Sequence, residues 1–226
     1  MGFRMLWFFL LVSGFLVACN VETQAAPDQT EVERLAKSAE SGNTVALEQL
    51  RQVAEKGDIE ARFRLGILYS GGRGVAKDDG EAIKWHRKAA EQGHAMAQTI
   101  LGVRYELGEG VSRDYAEALK WYRRAADQGF FNAQCLLGKM YQHGRGVHQD
   151  YAEALKWYLK AANKGSAIGQ YDLGVMYEHV KGVTRNFAEA ASWYRKAAAQ
   201  GHIEAKEALQ RMESLTKEPK TKKGSE

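Results

Sequence analysis

Ser214 and Lys217 are the first residues whose types and spacing suggest chemistry. Ser-x-x-Lys is the spacing of a serine nucleophile and its lysine in a class of acyl-transferring enzymes. The two motifs that complete such a site, Ser-Asp-Asn and Lys-Thr-Gly, do not occur in the sequence. We therefore interpret this match near the C-terminal end as a chance one and predict no catalytic residues.

Two histidines form the second candidate site. His143 and His179 lie 36 residues apart, at equivalent positions of two repeat units that are described below. Neighbouring helices pack about 8 to 10 Å apart, so the two imidazoles could share a metal ion. A protein zinc site needs at least three protein ligands, and no third acid or cysteine accompanies this pair. We predict neither a metal nor a cofactor.

The N-terminal segment has the pattern of an export signal. Arg4 is its only charge, and the apolar run from Met5 to Val17 is too short to span a bilayer as a helix. Leu16-Val17-Ala18-Cys19 resembles the lipobox of bacterial lipoproteins, which implies a signal peptide over residues 1–18 and lipid attached to Cys19. A plain secretory signal with an incidental Cys19 is the alternative. Polar residues 19–30 then form a tether.

Cys135 is the second of only two cysteines, so the chain is not a disulfide scaffold. An unpaired cysteine usually packs as a small hydrophobic residue, and pairing with another molecule is the alternative. The 226 residues include 23 glycines and only 2 prolines, which excludes collagen and proline-rich disorder. A net charge of +4 is too small to indicate nucleic-acid binding.

An internal repeat explains the glycines. A tryptophan recurs every 36 residues, at Trp85, Trp121, Trp157 and Trp193. Each unit has a Leu-Gly pair, a Tyr three residues after that glycine, and an Asp or Asn followed by Glu at the spacing of a helix cap. The turn between them is Gly-x-Gly-Val in the first three units, and Val180 replaces its first glycine in the fourth. A period of this length indicates a solenoid of helix pairs.

The glycine of each Leu-Gly pair falls inside a helix. Glycine there is about 1 kcal/mol less favourable than alanine. Since this unfavourable residue recurs in every unit, we expect a neighbouring helix to approach closely and to cover the glycine with its aromatic residue.

The repeat pattern resembles the SEL-one-like repeat, a relative of the tetratricopeptide repeat. The resemblance implies an all-α fold, an α/α solenoid that forms a right-handed superhelix of about four 36-residue helix-turn-helix repeats plus capping helices. The predicted units are a degenerate capping repeat at 31–56, repeats at 57–92, 93–128, 129–164 and 165–200, a capping helix at 201–215 and a disordered basic tail at 216–226. Within the degenerate repeat, residues 36–42 resemble the end of a second helix.

The tetratricopeptide resemblance also implies which positions of the first helix line the concave surface. These positions differ from unit to unit, although the frame around them is nearly constant, so packing does not dictate them. The predicted partner-binding groove consists of Phe63, Ile67, Thr99, Val103, Glu106, Leu107, Cys135, Lys139, Gln142, His143, Tyr171, Val175, Glu178 and His179.

These features predict a non-enzymatic scaffold or adaptor that binds a protein or peptide partner, with no nucleic-acid or small-molecule ligand. Lipid on Cys19 would hold it in the bacterial envelope facing the periplasm, and Asn20 resembles the signal for the outer membrane. One alternative is a β-lactam-binding or cell-wall-active enzyme, since some proteins of this family are linked to β-lactam binding. Those carry cysteine pairs within repeats, which this chain lacks. A structural lipoprotein without a specific ligand is the other alternative.

Overall fold

A computed structural model describes residues 29–179 and 182–217, which form α-helices joined by short turns and contain no strand. Over these ranges the all-α prediction is confirmed. The helices are α1 Gln29–Glu40, α2 Thr44–Glu55, α3 Ile59–Gly71, α4 Asp79–Glu91, α5 Ala95–Leu107, α6 Tyr115–Asp127, α7 Phe131–His143, α8 Tyr151–Asn163, α9 Ala167–His179, α10 Phe187–Ala199 and α11 Ile203–Lys217.

The helices pack in the order of the chain. Each repeat is an antiparallel pair, α3 with α4, α5 with α6, α7 with α8 and α9 with α10, and the second helix of one pair packs against the first helix of the next. We call α3, α5, α7 and α9 the first helices, and α4, α6, α8 and α10 the second helices. This succession of contacts between neighbours is that of a solenoid.

Each second helix begins at the predicted cap. The side chain of Asp114 accepts a hydrogen bond from the backbone N–H of Glu117 at 3.0 Å, and Asn186 accepts one from Glu189 at 3.1 Å. Helices α3, α5 and α7 end at a glycine in the left-handed region, for example Gly108 with φ 76°. A capping side chain and a left-handed glycine satisfy backbone groups that a helix end would otherwise leave unpaired.

The glycine of each Leu-Gly pair lies under an aromatic ring, as predicted. A β-carbon built on Gly138 would lie 2.6 Å from Cε1 of Tyr158, and one built on Gly174 would lie 2.4 Å from Cε1 of Tyr194. Both tyrosines are fully buried. The absence of a side chain at this position therefore allows the two helices of one repeat to approach each other.

The N-terminal unit is a complete helix pair. We interpreted residues 36–42 from sequence as the end of a second helix, and this is wrong. Helix α1 packs against α3 in the way that α7 packs against α9, so it occupies the place of a first helix and α2 that of a second. It also begins at Gln29, which shortens the tether predicted to reach residue 30.

Helix α11 follows α10 in the place of a first helix, and no second helix follows it within the residues that the structure describes. It extends to Lys217, beyond the predicted end of the capping helix at residue 215. The signal peptide, Cys19 and residues 218–226 of the basic tail lie outside the described residues. Within the described part of the chain, no helix is both long and apolar enough to cross a membrane.

Candidate interaction face on the first helices

The fourteen predicted groove residues all lie on the first helices α3, α5, α7 and α9, but they do not form one open surface. Three of them are buried between repeats: Phe63, Thr99 and Cys135 have exposures of only 6%, 8% and 3%. They cannot contact a partner in the folded protein, so their assignment to the groove is corrected. Their neighbours in the structure give the reason.

This position faces the residue that precedes the next first helix. The ring of Phe63 stacks on His94 with centroids 4.2 Å apart, and Cys135 Sγ lies 3.6 Å from Ser166 Oγ. Tyr171 makes the same kind of contact with His202 at 4.7 Å, although it is only half-buried. These residues therefore join consecutive repeats.

Cys135 behaves as a buried hydrophobic residue. Burial raises the pKa of its thiol to about 11, although the contact with Ser166 opposes this shift. Because the thiolate is the reactive form, the thiol is nearly inert at neutral pH. The structure does not favour pairing of Cys135 with another molecule.

Tyrosine hydroxyls form hydrogen bonds with a second row of predicted groove residues, which consists of Glu106, Gln142 and Glu178. Tyr122 donates to Glu106 at 2.8 Å and Tyr194 donates to Glu178 at 2.7 Å. The same two carboxylates also pair with arginines, Glu106 with Arg145 and Glu178 with Arg211. In the third repeat Gln142 replaces the glutamate and accepts from Tyr158 at 2.8 Å.

The acidic charge of this row is therefore compensated within the protein. Burial alone would raise the pKa of Glu178, but the hydrogen bonds from Tyr194 and Arg211 outweigh it and hold the pKa below its ordinary value. The carboxylate stays ionised at neutral pH and stays paired.

Ile67, Val103 and Val175 are half-buried and pack partly against the core. Lys139 occupies the same position on α7, is exposed, and lies 3.8 Å from Asp172 Oδ2. Sequence reasoning missed Asp172. Burial raises the pKa of this carboxyl to about 6, against the opposing effect of Lys139.

The open part of the face is formed mainly by α5 and α7. Leu107, at the end of α5, is 59% exposed, and Met96, at its beginning, is 44% exposed. Together with Val103 they form a stripe at i, i+7 and i+11 along one side of α5. The sequence prediction omitted Met96, because its first position on α5 was Thr99, one helical turn later. Extending the seven-residue spacing back from Val103 would have identified Met96.

Helix α7 carries different chemistry at the same three positions. Asn132, Lys139 and His143 are all exposed and polar. His143 and His179 are both exposed. No group of three or more potential metal ligands occurs within residues 29–179 and 182–217. The Ser214 hydroxyl donates to the Arg211 carbonyl of its own helix at 2.7 Å.

A profile of the Sel1 repeat matches residues 59–94, 95–130, 132–166 and 167–202, which together make up more than half of the chain. The chain belongs to the Sel1 repeat family. Its repeats correspond to the four helix pairs of the structure. Sel1 repeats generally mediate protein–protein interactions.

Two solved structures resemble this Sel1 repeat protein closely. A Sel1 repeat protein from Oxalobacter formigenes is 34% identical, with a TM-score of 0.74 over 82% of this chain and 76% of the other. The protective antigen c5321 of uropathogenic Escherichia coli is 45% identical, with a TM-score of 0.73 over 75% of this chain, but only 36% of that protein is covered.

A sequence relative with a described role is the localization factor PodJL of Caulobacter vibrioides. It is 38% identical over 80 residues, which represent 33% of this chain and 8% of that protein. The chain thus spans a small part of this relative.

Proposed function

We propose that the mature protein is a lipid-anchored, non-enzymatic scaffold of the bacterial envelope. Acyl chains on Cys19 hold it in the outer membrane facing the periplasm, and α5 and α7 bind a protein or peptide partner. The membership in the Sel1 repeat family supports the scaffold role.

The main support for this binding site is the contrast between the exposed side chains of α5 and those of α7. Both helices have the same frame, yet one presents Met96, Val103 and Leu107 where the other presents Asn132, Lys139 and His143. Exposed apolar side chains beside polar ones on a rigid surface are typical of a partner site. Packing does not require the apolar set, because the polar set fits the same fold.

The charge of the face indicates the chemistry of the partner. The carboxylates of Glu106 and Glu178 are already paired within the protein, whereas Lys139 is 46% exposed and only weakly paired with Asp172. The partner segment should therefore carry apolar side chains to cover α5 and acidic side chains beside α7.

A photo-crosslinking amino acid at Leu107 tests this face in the cell that produces the protein. We expect one defined protein adduct from position 107 and none from Lys84, an exposed residue on α4. A matched variant transplants the α7 residues onto α5 through Met96→Asn, Val103→Lys and Leu107→His. Since α7 accommodates these residues, the variant should fold but lose the partner.

A crosslink that forms equally from Leu107 and Lys84 would contradict the proposed face. So would unchanged partner binding by the folded triple variant, with helix content checked by circular dichroism. The anchor has a separate test: labelled palmitate should be incorporated into the parent protein and not into Cys19→Ser. Label that persists in the Cys19→Ser variant would overturn the anchor.

A further inference from the structure

Large apolar side chains are exposed along one edge of the solenoid. They occupy the first two positions of the first helices and of α11, and each is at least 38% exposed. The residues are Ile59, Met96, Phe131, Ile168 and Ile203. Met96 lies where this edge meets the α5 face described above. We call this side, together with the last turns of the second helices, the tether edge.

The last turns of the second helices add cations to the tether edge. Each second helix ends close to the beginning of the next first helix, because only three residues, such as 92–94, separate them. Lys88, Arg124, Lys160 and Lys196 lie in these last turns, each over the ring of the tryptophan three residues earlier, for example Lys160 Nζ at 3.8 Å from the Trp157 ring centre.

The positive charge is least opposed in the third and fourth repeats. In the first two repeats the same last turns carry Glu91 and Asp127, but the third and fourth have Asn163 and Ala199 at that position. Lys164 adds a further cation there. Other acids at this edge are Glu31, Glu55 and Asp58 near its N-terminal end, Glu60, which pairs with Arg64 and His94, and Glu204, which pairs with His202.

The chain enters the solenoid at this same edge. Helix α1 occupies the place of a first helix, so its N-terminus points to the same side as the N-termini of α3, α5, α7 and α9. Nine residues, 20–28, separate Cys19 from α1. A fully extended segment of nine residues spans at most about 30 Å. Lipid on Cys19 would thus keep the bilayer surface near this edge.

We propose that the tether edge contacts the surface of an anionic lipid bilayer and so orients the scaffold on the membrane. Apolar and aromatic side chains flanked by lysines are the composition that binds a membrane interface, the former by insertion at the headgroup level and the latter by attraction to acidic lipids. This inference rests on the proposed lipid anchor.

Two phenylalanines provide a matched pair of reporter sites. Phe131 begins α7 on the tether edge, and Phe187 begins α10 on the opposite edge, about 20 Å away along a helix of 13 residues. Both are exposed, at 40% and 54%. Phe131→Cys and Phe187→Cys each accept an environment-sensitive fluorophore, while the buried Cys135 with its raised pKa does not react.

The experiment uses the full chain, exported and purified in detergent, then reconstituted into phosphatidylcholine vesicles with and without phosphatidylglycerol. Mass spectrometry establishes whether Cys19 is acylated. We expect a blue shift and quenching by spin-labelled lipids at position 131, enhanced by phosphatidylglycerol, and no change at position 187. The double variant Lys160→Gln with Lys164→Gln should lose the enhancement by phosphatidylglycerol.

The outcomes separate this inference from the anchor itself. If Cys19 is acylated but the fluorophore at position 131 is not quenched, the proposed membrane contact is wrong. The tether edge would then be a surface for a protein partner. Equal quenching at positions 131 and 187 overturns the orientation. Absence of acyl chains on Cys19 overturns the anchor and, with it, the argument from the tether.

Discussion

The ring of Tyr122 on α6 lies directly over Gly102 on α5. A β-carbon built on Gly102 would be 2.4 Å from Cε1 of Tyr122, far inside the contact distance of two carbon atoms. The ring cannot move aside easily, because Tyr122 is fully buried and its hydroxyl donates to Glu106. This contact fixes the distance between the two helices of the second repeat.

Gly102→Ala should therefore destabilise the protein although alanine favours helices. Alanine gains about 1 kcal/mol in helix propensity, but overpacking of a dense core costs about 1 to 3 kcal/mol. Because the β-carbon would lie only 2.4 Å from a ring that cannot move aside, the cost should be at the upper end of this range. We expect a lower thermal midpoint, measured by circular dichroism, and a net loss of about 1 to 2 kcal/mol in the free energy of unfolding.

Gly80→Ala is the matched control for that substitution. Gly80 lies in the first turn of α4, where the other repeats have Ala116, Ala152 and Ala188. A β-carbon there would meet only the side chain of Asp78 at 3.3 Å. This variant should be as stable as the parent or more stable by up to about 1 kcal/mol. A neutral Gly102→Ala variant would refute the role of the tyrosine contact.

The repeat pattern predicted the helix pairs and the packing of Gly102 because these features recur. A residue type that returns every 36 positions reports a constraint that every unit shares. The groove was harder to predict, since Phe63, Thr99 and Cys135 share no chemistry and their exposure depends on neighbours about 31 residues later, such as His94 and Ser166.

The burial of Asp172 also could not be predicted from the sequence. Nothing in α9 alone indicates that its carboxyl is buried, because the burial is completed by neighbouring helices and Lys139 belongs to α7. The place of α1 was also misjudged, because its sequence resembles a second helix whereas its position follows from contacts with α3. Contacts of this kind are absent from a local sequence pattern.

Lys164→Gln should stabilise the third repeat. Gln98 and Gln170 each use their Oε1 to accept a hydrogen bond from a glutamine 30 residues later, Gln128 and Gln200 respectively, at 2.8 Å. Gln134 has Lys164 at the corresponding place, and its buried Oε1 has no hydrogen-bond partner among the described residues. A glutamine at 164 should satisfy it and contribute about 1 kcal/mol.

Urea unfolding measures this gain, and Lys164→Met is the control. Methionine removes the hydrogen bond from Lys164 to the Gly129 carbonyl but offers no donor to Gln134. We expect the order of stability to be glutamine above lysine and lysine above methionine. A glutamine variant no more stable than the methionine variant would rule out the proposed hydrogen bond.

His86→Tyr should change how stability depends on pH. His86 is fully buried at the position of Tyr122 and Tyr158, and neither ring nitrogen has a hydrogen-bond partner within the described chain. Burial lowers its pKa to about 4, and the positive charge of Arg104 adds to this. Between about pH 4 and 6.5 the unfolded chain therefore binds more protons, so this residue reduces stability as the pH falls.

The loss attributable to His86 should reach about 3 kcal/mol at pH 4 and vanish above pH 6.5. Urea midpoints of the parent and His86→Tyr, compared at about pH 7 and about pH 4, measure it. We expect the tyrosine variant to lose less stability on acidification. Parallel curves for the two proteins would show that the histidine is accessible to protons in the folded state.

Asp172→Leu should stabilise the protein at neutral pH. The first helices α5 and α7 carry Ile100 and Leu136 at this position, so the site accepts an apolar side chain. Burial raises the pKa of Asp172 from 3.8 to about 6, and its Oδ2 has no hydrogen-bond partner in the described ranges. Because the folded-state pKa is the higher one, stability is lost as the pH rises from about 3.8 to about 6.

Leucine removes this loss, so we expect a gain of about 3 kcal/mol at pH 7 that shrinks below pH 4, where the aspartate is protonated in both states. Asp172→Asn is the matched control, since it keeps the shape of the side chain and removes only the ionisation. Its stability should vary less with pH between 4 and 6 than that of the parent. A leucine variant less stable than the parent at neutral pH would mean that attraction to Lys139 outweighs the burial of the carboxylate.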